Sequence, residues 1–330
     1  VMGMAPYGSP RYVDQVRRLI QVGDDGSFCL NMEYFSFHHS TRRTFNRRFV
    51  DLFGEPREPE SEFFTRATHP SEDHPEWSEA AVARNLKYAD IAASIQRVTE
   101  EVLLAKARNA YERTGCKNLV MAGGVALNSV ANGRILRETS LENVYIQPAA
   151  GDSGGALGAA LYVYHVLLGR PRVFVMEHAY WGAAYPEDEM LSAIEASGLP
   201  YERTSGDDRL TDRVVERLLD GKVIGWYRGR FEWGPRALGN RSILADPRCG
   251  EMKDIVNTKI KFREPFRPFA PVVPEERAAE YFDLSEPERH YLPRFMLMVT
   301  SIHEDKRDEI QAVCHEGGTG RLQSVRREWN

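Results

Sequence analysis

The sequence predicts an α/β protein built from two domains, and three observations carry that expectation. Two strand–glycine–helix units follow one another, "NLVMAGGVALNSVANGRIL" from Asn118 and "NVYIQPAAGDSGGALGAAL" from Asn143. A long helical repeat precedes them. Behind a proline-bounded stretch at 171–186, helical and strand patterns mix again. Alternation of this kind makes an α/β layer whose ligand crevice lies at the strand ends. A length of 330 residues suits two domains, divided here as 1–170 and 171–330.

The elements follow in order. The first fifty residues read as a turn, a helix and a short hairpin, because "QVGDDGSFCL" sets a Gly-Asp-Asp-Gly turn between two apolar runs. Residues 54–78, rich in Pro, Glu and Ser, read as a surface loop. Over 78–113, Ile91, Ile95, Val98 and Val102 recur at helical spacing, and Gly115 is the expected stop. A strand at 119–122 then runs through paired glycines into a helix. The next unit has strand "NVYIQP", loop "AAGDSGGALG" and a helix to about Leu168. Beyond the linker, helices at 210–220, 252–261 and 275–282 mix with strands "KVIGWYRG", "RFMLMVTSI" and "GRLQSV".

Composition narrows the function. A net charge of -5 argues against a nucleic-acid or anionic-membrane partner, since both need a broad positive surface. Cys29, Cys116, Cys249 and Cys314 stand far apart with no CxxC pair, as reduced thiols of a cytoplasmic protein do. The apolar run "GGALGAALYVYHVLLG" is too short to span a bilayer.

Within this acidic chain one segment gathers positive charge. Between Arg228 and Arg267 stand seven arginines and three lysines against five acidic residues. Scattered arginines ordinarily form a solvated face. Here they alternate with Gly234, Pro235, Pro247, Pro265 and Pro268, which stiffen the backbone, and with Phe231, Trp233, Phe262, Phe266 and Phe269, which suit no solvated face. Guanidinium forks on such a frame match a compact carboxylate, carbamate or phosphate. In the first unit, Gly123, Gly124 and Asn128, placed one turn into the helix, are candidate nucleotide contacts, although paired glycines also serve tight strand–helix packing. Asp152, on the second glycine-rich turn, is a candidate metal ligand beside phosphate oxygens, or a helix cap. The nine histidines are dispersed, and His69 and His74 lack the spacing of ligands.

"MGMAPYG", "AGGVALNSVANGRI", "QPAAGDSGGALGAAL", "GRFEWGPRALGNRSILADPR", "KFREPFRPFAPVVPEE" and "HEGGTGRLQSV" occur in an order that resembles the O-carbamoyltransferases, which modify antibiotics and nodulation factors. The resemblance spans nearly the whole chain. It implies the C-terminal part of an actin/hexokinase-like domain followed by a YrdC-like domain. The second would form carbamoyl-adenylate from carbamoyl phosphate and ATP. In the first, a divalent metal, commonly iron, would help transfer the carbamoyl group to a hydroxyl of a small-molecule acceptor, with Mg2+ accompanying ATP. Carried over by position, Arg236, Lys261 and Arg267 form the carbamoyl-phosphate and adenylate clamp, with Arg241, Ser242 and Arg263 as further members. Asp152 takes the place of the metal-ligating carboxylate. The family's HxxxH histidines precede "MGMAPYG" and an "NTSFN"-like segment follows "GRLQSV", so the chain is expected to be cut at both ends. The competing expectations are an ATP-dependent sugar kinase on the same fold and a non-catalytic nucleotide-binding scaffold. The acceptor, the metal and the oligomeric state, a homodimer among the options, are left open by the sequence.

Overall fold

The computed structural model describes residues 1–58, 61–69 and 72–328, so the ends of the 54–78 loop are described while residues 59–60 and 70–71 within it lie outside that set. The chain is a mixed α/β protein with small sheets. After a 3-10 turn at Ala5–Tyr7 come α1 (Val13–Leu19) and an antiparallel hairpin of β1 (Ile20–Val22) and β2 (Phe28–Leu30). The Gly23 amide donates to the Ser27 carbonyl at 2.8 Å and closes the hairpin. Next follow α2 (Arg47–Phe53) and α3 (Glu79–Thr114).

Helix α3 starts and stops as its sequence dictates. The Ser78 side chain accepts from the Ala81 amide, and Gly115 ends the helix with φ 65°. Val98 and Val102 are buried against Val16, Leu19, Tyr34 and Phe53, while Ile91 and Ile95 flank the same cluster. Strand β3 (Asn118–Met121) leads through a 3-10 turn at Gly124–Leu127 into α4 (Ser129–Glu138). Strand β4 (Asn143–Ile146) pairs with β3 in parallel, Leu119 beside Val144 and Met121 beside Ile146, and leads to α5 (Gly154–Tyr162), which runs on as a π-turn to Leu167. No regular element occupies 171–186.

Helices α6 (Glu187–Ser197) and α7 (Asp207–Leu219) lead to β5 (Ile224–Tyr227), which pairs antiparallel with β6 (Arg241–Leu244). Then come α8 (Met252–Ile255) with a π-turn to Ile260, β7 (Val272–Pro274) and α9 (Ala278–Tyr281). Strands β8 (Thr300–Ser301) and β9 (Thr319–Gly320) are antiparallel, and β10 (Gln323–Val325) lies parallel to β7. Among the described residues no helix is long and apolar enough to cross a membrane.

The strand expected at "RFMLMVTSI" is corrected to two residues. Pro293 opens a 3-10 turn at Leu292–Phe295, Met296 takes φ 55°, and Leu297, Met298 and Val299 are all buried. A strand needs a neighbouring ladder; here the Val299 amide donates instead to the Ser129 carbonyl of α4 at 2.9 Å.

This segment belongs to the main core. Ile135, Val144 and Ile146 from the first half meet Phe282, Leu292, Leu297, Ile302 and Leu322 from the second. The buried Asn132 amide secures the joint, donating to the Ala126 carbonyl at 2.8 Å and the Leu297 carbonyl at 2.9 Å. The joint leaves no room at Gly133, where a β-carbon would run into the Val299 carbonyl oxygen. Gly133→Ala is therefore expected to cost about 2 kcal/mol by forcing backbone apart; chemical denaturation checks it, and an unchanged midpoint would refute the close approach.

Candidate active site

The π-turn after α8 sets up the basic site. Asn257 is fully buried, and its amide donates to the carbonyls of Pro265 at 3.1 Å and Arg267 at 2.9 Å, so one side chain holds the "REPFR" loop. Its oxygen accepts from Arg263 Nε at 2.7 Å, and the Arg263 guanidinium lies 4.9 Å from the Phe269 ring centre. Phe266 is buried against Phe63 and Ala89 and anchors the loop from below.

Arg263 and Arg267 thereby line a cavity of about 520 Å³, together with Lys253, Arg137, His315 and Arg321. Arg134 and the carboxylate of Glu316 also reach it. Several of these cations are already engaged. Arg134 pairs with Glu100 and Glu138, Arg137 donates to the Val299 carbonyl, and Arg267 lies 3.2 Å from Glu264. Arg263 and Arg321 have no carboxylate partner among the described residues, and Arg321 Nε is buried with no hydrogen bond. Burial lowers the proton affinity of both guanidiniums. The charge of Arg263 adds to the effect on Arg321, and that of Arg267 to the effect on Arg263. Buried cations left unpaired cost stability unless an anion joins them.

Arg236 stands behind this wall. Nη2 donates to the Leu127 carbonyl at 3.2 Å, Nη1 is buried without a partner, and burial, helped by the charge of Arg321, pulls the guanidinium down to about 10. Lys261 is exposed beside Arg263; partial burial and the Arg263 charge lower its ammonium below the usual lysine range. The structure thus brings Arg236, Lys261, Arg263 and Arg267 into one field of positive charge, with only Arg263 and Arg267 lining the cavity itself.

Arg241 and Ser242 serve the "GPRALGN" loop instead. The Glu232 side chain is 0% exposed, and its Oε1 accepts from the amides of Leu238 at 2.8 Å and Asn240 at 2.9 Å. Arg241 Nε lies 3.6 Å from the other carboxylate oxygen, and its guanidinium sits 5.1 Å from the Phe231 ring centre. Ser242 Oγ accepts from the Gly239 amide at 3.0 Å.

A second cavity, about 1070 Å³, opens at the C-terminal ends of β3 and β4, where an α/β crevice is expected. The two glycine turns meet there: Gly123, at φ 97°, donates from its amide to the Ala150 carbonyl at 2.8 Å. Only glycine holds that φ without strain. Gly124 lies against Gly151 on the same turn pair. Asn128 differs from its sequence placement. The 3-10 turn inserted after Gly123 makes it the N-cap of α4, accepting from the Ala131 amide at 3.2 Å. Its amide also exchanges hydrogen bonds with Gln96, which binds the buried Glu100 at 2.6 Å.

Asp152 is exposed on the rim of this second cavity, which His165, Arg170 and Arg172 also line. Among the described residues no three His, Cys, Asp or Glu side chains converge to hold a metal ion. Asp152 and His165 are the metal-ligating side-chain types on this cavity, too few by themselves to complete a metal's coordination shell.

Sequence reasoning missed Arg321, Lys253, His315 and Glu232. Arg321 and His315 stand in "HEGGTGRLQSV", outside the dense arginine segment, where no local excess of charge marks them. Glu232 is one acid among many cations in its segment, and nothing local distinguishes it.

Comparison with known proteins gives the chain a family. The family described as Carbamoyltransferase N-terminus matches residues 1–161, and that described as Carbamoyltransferase C-terminus matches residues 215–330. An uncharacterized protein of Synechocystis sp. is 40% identical, the match covering 100% of this chain and 54% of the relative. The nodulation protein NolNO of Sinorhizobium fredii is 37% identical (100% of this chain, 44% of the relative), and the nodulation protein NolO of Bradyrhizobium diazoefficiens is 36% identical (100% and 54%). The chain spans about half the length of these curated relatives. With both family matches in chain order over most of its length, the chain belongs to the carbamoyltransferase family.

Proposed function

We propose that the protein containing this chain is an O-carbamoyltransferase acting on a hydroxyl of a small-molecule acceptor. The observation that carries the reading is the cavity in which Arg263 and Arg321, with Arg236 behind them, hold half-buried positive charge that forms no salt bridge with a carboxylate of the described residues. A compact acyl phosphate such as carbamoyl phosphate has the charge and the planar oxygens those forks require.

In this reading residues 171–330 form a YrdC-like domain and residues 1–170 the C-terminal part of an actin/hexokinase-like domain. Hydrolysis of carbamoyl phosphate releases inorganic phosphate and leaves carbamate. A carbamate oxygen attacks the α-phosphorus of ATP, and pyrophosphate departs. The acceptor hydroxyl then attacks the carbonyl carbon of carbamoyl-adenylate, AMP leaves, and the hydroxyl proton passes to a base. Arg263, Arg267 and Arg321 contribute by neutralising and orienting the anion. The glycine turns around Gly123 and Gly151, free of side chains, let the backbone come close to a nucleotide in the second cavity, with Asp152 at its rim.

The test is product analysis of the full-length protein incubated with carbamoyl phosphate and ATP. Pyrophosphate and carbamoyl-adenylate are expected; ADP in their place would point to a kinase, and no turnover or binding to a scaffold. Asp152→Ala is expected to leave pyrophosphate release near the unaltered rate and to slow carbamoylation of the acceptor, because Asp152 lines the second cavity and not the basic one. Equal loss of both steps would sink the division of labour between the two cavities.

A further inference from the structure

Guanidinium groups only donate hydrogen bonds, so an arginine-walled cavity recognises an acyl phosphate by charge and shape alone. Carbamoyl and acetyl phosphate share both. They differ in one place, where an NH2 donor replaces a methyl group. Discrimination needs a neutral hydrogen-bond acceptor in the wall, close to where the acyl group lies.

Resting on the carbamoyl phosphate reading above, we propose that His315 is the specificity residue of the basic cavity and that its Nδ1 accepts a hydrogen bond from the carbamoyl amino group. His315 lines the cavity with Arg263, Arg267 and Arg321. Its backbone is held in a tight turn, the His315 amide donating to the Thr319 carbonyl at 2.7 Å and the Gly318 amide to the His315 carbonyl at 3.0 Å. In the ring, Nε2 lies 3.3 Å from the Phe269 carbonyl oxygen. A carbonyl can only accept, so Nε2 carries the proton and Nδ1 is left with its lone pair. Nδ1 has no hydrogen-bond partner among the described residues and is not sealed from solvent.

The surroundings keep the ring neutral. Burial, reinforced by the charges of Arg321 and Lys253, pushes the imidazole down to about 4 against the opposing pull of the Phe269 carbonyl. The cations that attract the phosphate therefore also preserve the acceptor. Other polar groups on the cavity wall read the amino group less well. The Glu316 carboxylate is repelled by the bound dianion, the hydroxyls of Ser301 and Thr319 donate as readily as they accept, and those of Ser129 and Thr300 are turned to Met2 Sδ at 3.7 Å and the Asp283 carbonyl at 2.8 Å.

The experiment is calorimetric titration of the full chain with carbamoyl phosphate and with acetyl phosphate, for the unaltered protein and for His315→Phe. The unaltered protein is expected to bind carbamoyl phosphate about 10-fold more tightly than acetyl phosphate. His315→Phe is expected to lose that factor for carbamoyl phosphate only, so that the ratio of the two Kd values falls to near one. An unchanged ratio in the variant, or no preference in the unaltered protein, would overturn the His315 assignment and leave the carbamoyl phosphate reading standing. If the unaltered protein bound neither compound, both would fall. Should the variant not fold, the imidazole nitrogen resonances of the unaltered protein give the same answer. The His315 Nδ1 signal is expected to move with carbamoyl phosphate and stay in place with acetyl phosphate; equal movement with both overturns the proposal.

Discussion

Arg321→Leu is expected to bind carbamoyl phosphate about 100-fold more weakly than the unaltered protein, the loss of a charge-assisted, desolvated hydrogen-bonding group. Arg321 is the deepest guanidinium of the cavity, with Nε buried and unpartnered. The same substitution removes a buried cation whose neighbours are other cations, so the ligand-free protein is expected to gain about 1 kcal/mol. Two opposite signs from one change separate a binding role from a structural one. Arg321→Lys keeps the charge without the fork and is expected to recover only part of the affinity. Titration calorimetry beside a denaturation curve reads both quantities. A variant that lost stability and kept its affinity would remove Arg321 from the site. Arg267, half exposed at the rim and already beside Glu264, should give a smaller loss when truncated.

Glu232→Ala is expected to destabilise the protein by about 3 kcal/mol, because two buried backbone amides lose their acceptor at once. Leu238 and Asn240 both donate to Oε1, and no other acceptor of the described residues is bonded to either amide. The loop they anchor carries Arg236, so affinity for carbamoyl phosphate should fall along with stability. Glu232→Gln keeps an acceptor oxygen for the amides while losing its charge opposite Arg241, and should cost much less. Melting curves of the two variants decide the matter: coincidence of Glu232→Ala with the unaltered protein would mean that the carboxylate does not hold the loop.

Local signals made much of this architecture legible. Ser78 and Gly115 mark the ends of α3 because caps act within a turn of the chain. The Gly-Asp-Asp-Gly hairpin and both strand–glycine–helix units rest on similarly short-range chemistry. Long-range burial was harder to see. Leu297, Met298 and Val299 look like a strand, yet they are apolar because the core surrounds them on all sides, so period-two alternation never had to appear. The site shows the same divide. Arg263 and Arg267 could be found from local density of charge, whereas Arg321 enters the cavity from a segment more than fifty residues further along. Asn128 was legible as a polar group near glycines but not as an N-cap, since that depended on a 3-10 turn that the sequence does not announce.

The shared core also bears on how the molecule is made. A ribosome releases β3, α4 and β4 long before Leu292, Leu297, Ile302 and Leu322 have been polymerised, yet those late residues are what cover Ile135, Val144 and Ile146. Until those residues emerge the nascent chain carries an uncovered apolar surface, a state prone to self-association and suited to chaperone capture. The apolar face of β3, α4 and β4 stays open until residues 292–322 arrive to seal it.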